Sequence, residues 1–434
     1  IFPSASAGWV VTNEEFMESV RSVMDFFKIR ASWGQNGNCN IPNFQYLTQV
    51  GFNESDAYFF GVGNHEEATT GGSFNVLGNP ELTWETSEQL NIGIDARFLD
   101  SRLGLTFDWY KKTTKDWLVR APILGVYGIG APYINGGDVE NKGIELSLSW
   151  NDQLDNGLRY GITANMSYNK NEVTKLANAE GIIHGPGAVW HQLEGEVYRA
   201  QVGKPIGFFY GYDTKGVFQN GEQIRQFSEK YEDKLHGGND KLKPGDLIFR
   251  DVTGDGIIND NDRTMIGDPH PDVTVGLNLN LAYKGFDFSF LFQGGTNRSS
   301  YLSGGWYFYP FQADRGPKFM GNVMTMFKDR WTVDNPDPHA FSPRLSYGAD
   351  ANNYKTSTWW QRDSGYLRLK NVEIGYTLPS AWASKLRCSS LRIYATGVNL
   401  FTISKFISDY WDPETGADAY PMQRQVFVGV NLTF

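Results

Sequence analysis

The sequence has little cysteine and no long apolar run, and each scarcity excludes a class of protein. Its two cysteines, Cys39 and Cys388, are far apart and lie in no CxxC or Cys/His cluster, so we expect neither a disulfide scaffold nor a structural zinc site. No apolar run reaches the roughly 18 residues that a transmembrane helix needs. Charged residues make up 20% of the chain, and its formal net charge of −10 argues against a nucleic-acid partner, which would require a basic surface.

Signatures of catalysis are also missing. The six histidines form no HExxH motif, and the chain has neither a GxSxG motif nor a phosphate-binding glycine loop. A glycoside hydrolase is the main enzyme alternative, because it needs only a pair of carboxylates. No such pair can be selected from the many Asp and Glu residues, and we expect a protein that is not an enzyme.

The chain is rich in aromatic residues (15%) and in glycine (48 residues), a composition that favours strands and turns. Apolar and polar residues alternate strictly along 273–283 and 286–292, and Lys284-Gly285 forms a two-residue turn between these runs. Two such runs joined by a tight turn predict a β-hairpin. The same pattern recurs at 90–98 and 103–109, at 144–150 and 160–166, at 372–378 and 392–401, and in a last run at 426–434.

The connections between these runs alternate between short and long. The long ones are 35–83, 114–139, 171–271, 297–362 and 402–423. An outer-membrane barrel has short periplasmic turns and long extracellular loops, and strands of about ten residues match a tilted membrane crossing. A soluble β-sandwich is the alternative, but its strands would be shorter and its loops more even. We therefore predict an all-β, transmembrane antiparallel β-barrel.

The number of strands predicts that the wall continues beyond this chain. With the fragment 1–10 and the run 27–33, the pattern gives about eleven strands. Single-chain bacterial barrels use even numbers of strands. We expect residues 1–434 to be the C-terminal part of a longer barrel protein, with the remaining strands upstream.

Six stretches, taken together and in this order, resemble the SusC/RagA family of TonB-dependent outer-membrane transporters of Bacteroidetes. They are FPSASAGWV at 2–10, KIRASWGQNGN at 28–38, NPELTWETSEQLNIGID at 79–95, GDLIFRDVTGDGIINDNDRTMIGDPHPD at 245–272, RLKNVEIGYTLP at 368–379 and LRIYATGVNLFTISKF at 391–406. The resemblance runs through the whole chain and extends to the closing strand.

This resemblance implies a location and a function. Members of the family have an N-terminal plug inside a barrel of about 22 strands, so this chain would be the second half of the wall, without the plug. The whole protein would import a nutrient, an oligosaccharide or a peptide, across the outer membrane of a Gram-negative bacterium. A SusD-like lipoprotein would form its lid, and the TonB complex would supply energy through the missing N-terminal region. A passive porin, or a surface-exposed β protein that binds or hydrolyses glycans, is the alternative.

The stretch DVTGDGIINDNDR at 251–263 has the spacing of a calcium-binding loop of about twelve positions, with Gly256 at the sharp turn. The predicted ligands are Asp251, Thr253, Asp255, the carbonyl of Ile257, Asn259 and Asp262. Asp262 replaces the longer bidentate Glu, and no helices with the EF-hand pattern flank the loop. We therefore predict a structural Ca²⁺ rather than a switch. The alternative is a turn held only by the hydrogen bonds of its Asp and Asn side chains.

Aromatic clusters occupy the long connections at 207–212, 304–311, 358–360 and 409–411. Exposed aromatic side chains anchor ligands and protein partners. The alternative is that they fill the mouth of the barrel. The predicted contacts with cargo or lid are Trp306, Tyr307, Tyr309, Trp359, Trp360 and Trp411.

Overall fold

Within the described residues of a computed structural model, eleven strands pair into one antiparallel sheet, which we call the wall. The structure describes residues 1–60, 67–120, 126, 128–185, 196–302, 324–345, 352–406, 410–415, 420 and 422–434. The wall strands are β1 (Ser4–Val10), β2 (Met24–Asn38), β3 (Glu85–Phe98), β4 (Leu103–Lys115), β5 (Gly137–Gln153), β6 (Arg159–Leu176), β7 (Val273–Tyr283), β8 (Phe286–Thr296), β9 (Tyr366–Thr377), β10 (Ser390–Ser404) and β11 (Gln425–Thr433). Each wall strand pairs with the next one along the chain, so the predicted series of hairpins is confirmed.

The wall strands are longer than the alternation predicts. β5 has 17 residues and β6 has 18, because their pairing continues past the apolar segment as far as Gly137 and Leu176. Most residues at these ends are polar, and the apolar ones, Val139, Val173 and Leu176, are buried together, so period-two hydrophobicity marks only part of each strand. The strands therefore extend towards the long connections, which all leave the same end of the wall.

Short links join the strands at the other end of the wall. Lys284 and Gly285 both have positive φ, 47° and 88°, which is the turn geometry that suits the twist of a two-residue hairpin. The link between β9 and β10 contains a short helix, α2, and the 177–272 connection contains α1; their bounds are Gly221–Ser228 for α1 and Ser380–Lys385 for α2. Among the described residues, no helix is long and apolar enough to cross a bilayer.

The two faces of the wall differ in chemistry. Leu279 lies opposite Phe290, and Leu281 lies opposite Phe288, on the apolar face. Many large apolar side chains on this face are exposed to solvent in the chain alone, and Ile374 is an example. In a membrane barrel such a face turns towards the lipid.

Ion-paired triads lie on the other face. Arg30 on β2 donates to Asp95 at 3.0 Å and to Asp108 at 2.6 Å. A second triad joins Arg392 to Asp287 and Glu373, with an Nη2 to Oε1 distance of 2.6 Å for Glu373. Because side chains alternate along a strand, these charged groups face away from the apolar surface and into the interior of the barrel.

The long connections carry small sheets of their own. Their strands are Gln49–Phe60 with Glu67–Val76, Leu118–Arg120 with Tyr133–Asn135, Thr214–Val217 with Leu247–Phe249, Glu232–Asp233 with Ile257–Ile258, Ser299–Tyr301 with Gln361–Asp363, and the four strands Ile182–His184, Tyr198–Gln201, Phe208–Tyr212 and Arg263–Gly267. Short 3₁₀ helices are at Val11–Asn13, Glu15–Val20, Asn239–Lys241, Asp260–Asp262 and Thr325–Lys328.

Two apolar cores hold these connections together into what we call the loop cap. The first loop core contains Val197, Phe209, Tyr301, Leu302, Met326, Phe327, Tyr354, Trp360, Phe406 and Trp411. The second loop core contains Tyr212, Val217, Leu247, Phe249, Ile258, Trp331 and Ala340. Trp359 packs against both cores. The cap is therefore a packed unit built from connections that are distant in sequence.

Candidate functional site in the loop cap

A pocket of about 760 Å³ opens in the loop cap, and we call it the loop pocket. It is lined by the strand Thr214–Val217 with Phe218 and Gln219, by one face of α1, by residues 338–340, and by Thr358, Trp359 and Arg362. Its volume lies within the range of roughly 300–1,000 Å³ that is typical of sites for small ligands.

Helix α1 is positioned at the pocket by its own N-terminus. The side chain of Asn220 accepts a hydrogen bond from the amide of Gln223 at 3.0 Å, which caps the helix. Gln223 in turn accepts the amide of Gln219 at 2.7 Å. At the other end of α1, the ring of Phe227 packs edge-on against Phe218 with 5.2 Å between centroids. These contacts fix the helix face that lines the pocket.

The opposite side of the pocket is the segment 358–362. The amide of Thr214 donates to the hydroxyl of Thr358 at 2.9 Å, and the two threonine hydroxyls are 2.8 Å apart. This contact joins the segment to the strand Thr214–Val217. Trp359 packs on both loop cores. The packed interior of the cap therefore fixes this side of the pocket.

Arg362 is the unusual residue of the pocket. Its Nη1 donates to the carbonyl of Trp359 and, at 3.0 Å, to that of Gln361. Among the described residues, no carboxylate forms an ion pair with it. Burial lowers the pKa of Arg362 to about 10, and no nearby negative charge opposes that effect. The Nε1 of Trp359 is also buried with no acceptor among the described residues.

The acidic loop 251–262 folds around its first carboxylate. Asp251 accepts the amide of Gly254 at 2.6 Å and that of Gly256 at 2.9 Å, one on each oxygen. Desolvation raises the pKa of Asp251, but the hydrogen bonds from Gly256, Gly254 and the hydroxyl of Thr253 outweigh it, so the pKa is lowered. Oδ1 also accepts the hydroxyl of Thr253 at 3.3 Å, so the second lone pair of Oδ2 is the one that remains open to a hard cation.

The last carboxylate of the loop is used differently. Asp262 is fully buried, and one of its oxygens accepts the amides of Val252 and Thr253 at 2.8 and 3.1 Å. The other oxygen accepts the amide of Asn259 at 2.8 Å. This is the hydrogen-bonded turn of the alternative interpretation, and it leaves Asp262 less free than Asp251 to act as a ligand.

No three Asp, Glu, His or Cys side chains of the described residues converge as metal ligands. Asp255 also bonds within the loop, because its Oδ1 accepts the amide of Ile257 at 2.9 Å. A calcium loop draws part of its ligand set from threonine, asparagine and carbonyl oxygens, and this donor set is present at 251–262. Calcium binding by the predicted set therefore stays a prediction.

A tyrosine connects the acidic loop to the second loop core. Tyr212 donates to Asp260 at 2.5 Å and accepts from Nε of Arg263 at 2.9 Å. Burial, and then the bond to Asp260, raises the pKa of Tyr212 above its usual range, and the same bond lowers the pKa of Asp260. Ile258 is fully buried in the core beside them. The end of the loop is therefore fixed, while most of 251–257 faces solvent.

The predicted aromatic contacts fall into three groups. Trp306, Tyr307 and Tyr309 lie outside the described residues. Trp360 and Trp411 are buried in the first loop core, and Trp360 stacks on Tyr354 at 5.6 Å. In this arrangement Trp360 and Trp411 fill the cap, so contact with cargo would require the cap to open. Trp359 reaches the loop pocket, and its predicted role in contact stays open there.

Sequence reasoning did not single out Arg362 or Lys215, the two basic residues in the described lining of the loop pocket. Arg362 is one of 39 Lys and Arg residues, and its only distinguishing sign is its place just after the cluster 358–360. Whether an arginine lacks a carboxylate partner depends on tertiary contacts. No spacing in the sequence could have marked it.

The family and its relatives identify the wall. The profile described as "TonB dependent receptor-like, beta-barrel" matches residues 1–400. TonB-dependent receptor P3 of Formosa agariphila is 31% identical over 451 residues, covering all of this chain and 42% of that protein. TonB-dependent receptor SusC of Bacteroides thetaiotaomicron is 27% identical over 446 residues, covering all of this chain and 40% of that protein. The chain thus spans about two fifths of the length of these relatives.

The fold is that of a solved transporter. The structure of the RagAB peptide transporter superimposes with a TM-score of 0.77 at 24% identity, over all of this chain and 43% of that one. This agreement confirms the predicted all-β barrel, and the named relatives are described as receptors. Because the profile covers nearly all of the wall, the chain belongs to the TonB-dependent receptor-like β-barrel family of the outer membrane.

Proposed function

We propose that the protein containing this chain actively imports a nutrient across the outer membrane with energy from the TonB complex. The observation that supports this most is the match of the entire chain, wall and loops together, to the RagAB peptide transporter. The likeness to the receptor named SusC points the same way. A passive porin has no need of a packed cap over its wall.

The proposal includes a lid. A SusD-like lipoprotein would dock on the loop cap and close over the cargo, an oligosaccharide or a peptide. Its support is the cap itself, whose two apolar cores give a stable surface at the end of the wall from which the long connections leave. Trp306, Tyr307, Tyr309 and Trp359 are the proposed aromatic contacts with cargo or lid.

We also propose that Ca²⁺ has a structural role in the acidic loop. Asp251, Thr253, Asp255, Asn259 and the carbonyl of Ile257 would supply most of the oxygens, and Asp262 would organise the loop from behind. Sites in extracellular modules bind calcium with Kd of roughly 10⁻⁴ to 10⁻³ M, so a loop without the usual terminal Glu is sufficient outside the cell.

Uptake in living cells tests the import proposal. The full-length gene is deleted and then restored, and uptake of fluorescent oligosaccharides and peptides is measured with and without a functional TonB complex. We expect uptake only when both the gene and TonB are present. Uptake that continues without TonB would instead identify a porin. Purification through an affinity tag on the transporter should also recover the lipoprotein, and a surface label on the loop cap should prevent that recovery.

A further inference from the structure

We propose that the loop pocket binds an acidic saccharide and that Arg362 holds the carboxylate of that saccharide. This deepens the proposed function, on which it rests, by naming the chemical class of the cargo and the residue that recognises it. Arg362 is the only arginine that lines the pocket among the described residues.

The charge of the pocket is opposite to that of the chain. The chain carries a formal net charge of −10, yet the described lining of the pocket includes Lys215 and Arg362 and no Asp or Glu. A buried cation is costly unless a counter-charge pairs with it. Among the described residues, the buried Arg368 has two carboxylates as partners. Arg362 has none among the described residues, so its positive charge is not balanced by a carboxylate there.

The geometry of Arg362 fits a carboxylate. Its Nη1 is held by the carbonyls of Trp359 and Gln361, and these contacts fix the plane of the guanidinium. The edge formed by Nε and Nη2 has no protein acceptor among the described residues. That edge presents two parallel N–H groups, which match the two oxygens of one carboxylate. The ring of Phe341, 6.0 Å away, packs against the guanidinium and limits its movement.

The rest of the pocket fits the hydroxyl groups of a sugar. The amides of Gln219, Gln223 and Gln226 line it, and an amide, like a hydroxyl, both donates and accepts. Trp359 lines the pocket as well, and an indole ring offers a flat face on which the C–H groups of a sugar can pack. This combination of neutral polar groups, an aromatic face and one fixed cation favours an acidic saccharide over a peptide.

Calorimetric titration of the full-length transporter in detergent tests this assignment. The probes are oligomers of galacturonate and of glucuronate, their uncharged methyl esters, and a peptide with the same number of carboxylates. We expect the acidic oligomers to bind and the esters to bind at least roughly 10-fold more weakly. Arg362→Gln should weaken binding of the acidic oligomers roughly 10- to 100-fold, as expected for loss of a charged hydrogen-bond pair. Arg362→Lys keeps the positive charge but not the two parallel N–H groups, so its affinity for the acidic oligomers should lie between those of the wild type and Arg362→Gln.

Arg225→Gln is the matched control, because Arg225 on α1 is exposed and already pairs with Glu222. This variant should bind the acidic oligomers as the wild type does. Thermal unfolding midpoints verify that each variant is folded. If Arg362→Gln does not fold, Arg362→Lys is compared with the wild type in its place. Equal affinity of the wild type and the Arg362 variants, or of acid and ester, would overturn the proposal. So would binding of the acidic peptide alone, since Arg362 would then recognise a peptide.

The titration is independent of energy coupling. Binding in detergent requires no TonB, so its failure would leave the import proposal standing. If cells show no TonB-dependent uptake while the acidic oligomers still bind in detergent, the import proposal is contradicted and the pocket assignment stands. The two proposals can therefore fail separately.

Discussion

At its loop end, β9 carries a buried arginine, Arg368, that reaches the connection between β10 and β11. Arg368 is 1% exposed and donates to Thr402 at 2.9 Å, to Asp412 at 2.5 Å and to Glu414 at 3.0 Å. Lys370 also reaches Glu414, at 3.3 Å. One side chain of the wall thus fixes a segment of the loop cap beside it.

Replacing Arg368 by Met should destabilise this junction strongly. The variant leaves Asp412 without its cation and Glu414 with Lys370 alone, and breaking a buried pair in this way costs about 3 kcal/mol or more. Urea unfolding of the full-length protein in detergent measures the loss. Arg102→Met is the control, because the pair of Arg102 with Asp152 is partly exposed and 3.5 Å long, and we expect a change below about 1 kcal/mol. Similar losses for both variants would contradict the assignment.

At the scale of single elements, the turn between β7 and β8 depends on glycine. Gly285 has a φ of 88°, and a Cβ at this position would lie 2.8 Å from the carbonyl oxygen of Thr377. Gly157, in the turn between β5 and β6, has a similar φ of 87° but open space around it. The two glycines therefore separate backbone strain from steric contact.

Gly285→Ala should destabilise the folded barrel more than Gly157→Ala. Both variants force a Cβ into the left-handed region, which costs roughly 1–2 kcal/mol, and only Gly285→Ala adds the clash with Thr377. Urea unfolding in detergent measures both free energies. Equal losses would show that the turn relaxes without cost and that the contact with Thr377 has no effect on stability.

The acidic loop offers a test of calcium. If Ca²⁺ binds, chelation with EDTA should lower the thermal midpoint and weaken binding of the lid lipoprotein, because the exposed segment 251–257 loses its ion. Asp251→Asn should remove this response to calcium. Asp262→Asn should destabilise the loop with or without calcium, since Asp262 is buried and accepts backbone amides. Unchanged midpoint and unchanged lid binding after chelation would exclude the ion and leave the hydrogen-bonded turn.

A small sheet of the loop cap should respond to pH through His184. The hydrogen bond from His184 to Glu196, at 3.1 Å, raises the pKa of the imidazole, against desolvation and the nearby Arg199, while Glu180 at 3.3 Å adds to the rise. A raised pKa means that the stabilisation is complete below the usual pKa of about 6.5 and is lost as pH rises through the folded-state value.

Hydrogen exchange measures this effect. Amides of Ile182–His184 and Tyr198–Gln201 should exchange faster at pH 8 than at pH 5.5, after correction for intrinsic rates. The change should be small, because His184 is half exposed and solvent screens its ion pairs. The His184→Gln variant, which cannot titrate, should show no such difference. A wild-type profile that matches the variant at both pH values would contradict the role of His184.

The alternation of apolar and polar residues predicted the wall strands better than their loop ends or the acidic loop. The wall was predicted almost in full, because each strand places apolar side chains such as Leu279 and Leu281 on one face at every second position. The loop ends of β5 and β6 were not predicted, since their pairing continues through polar residues. In the acidic loop, spacing supplied a candidate set of ligands, but only the fold shows that Asp262 is buried and bonds to amides.

At the scale of the whole molecule, the loop cap could not be derived from the sequence. Its contacts join residues far apart in the chain, as where the indole of Trp331 donates to Gln219 at 3.3 Å, and no period marks such pairs. For the same reason Trp360 and Trp411 looked like surface contacts and were found in a core. The loop pocket exists only because these distant segments pack together, so its unpaired arginine emerged from the fold alone.

If the protein imports a cargo as proposed, the triads on the interior face of the wall bear on its movement. Arg30 stands against two carboxylates and so does Arg392, which leaves each triad with a formal charge of −1. A negatively charged cargo held at the cap would therefore be repelled by these positions once it moves inward. A pathway must release as well as bind, and these two positions would not retain a captured anion. The cap would then capture the anionic cargo, and the negative triads of the wall would keep it from binding again on its way inward.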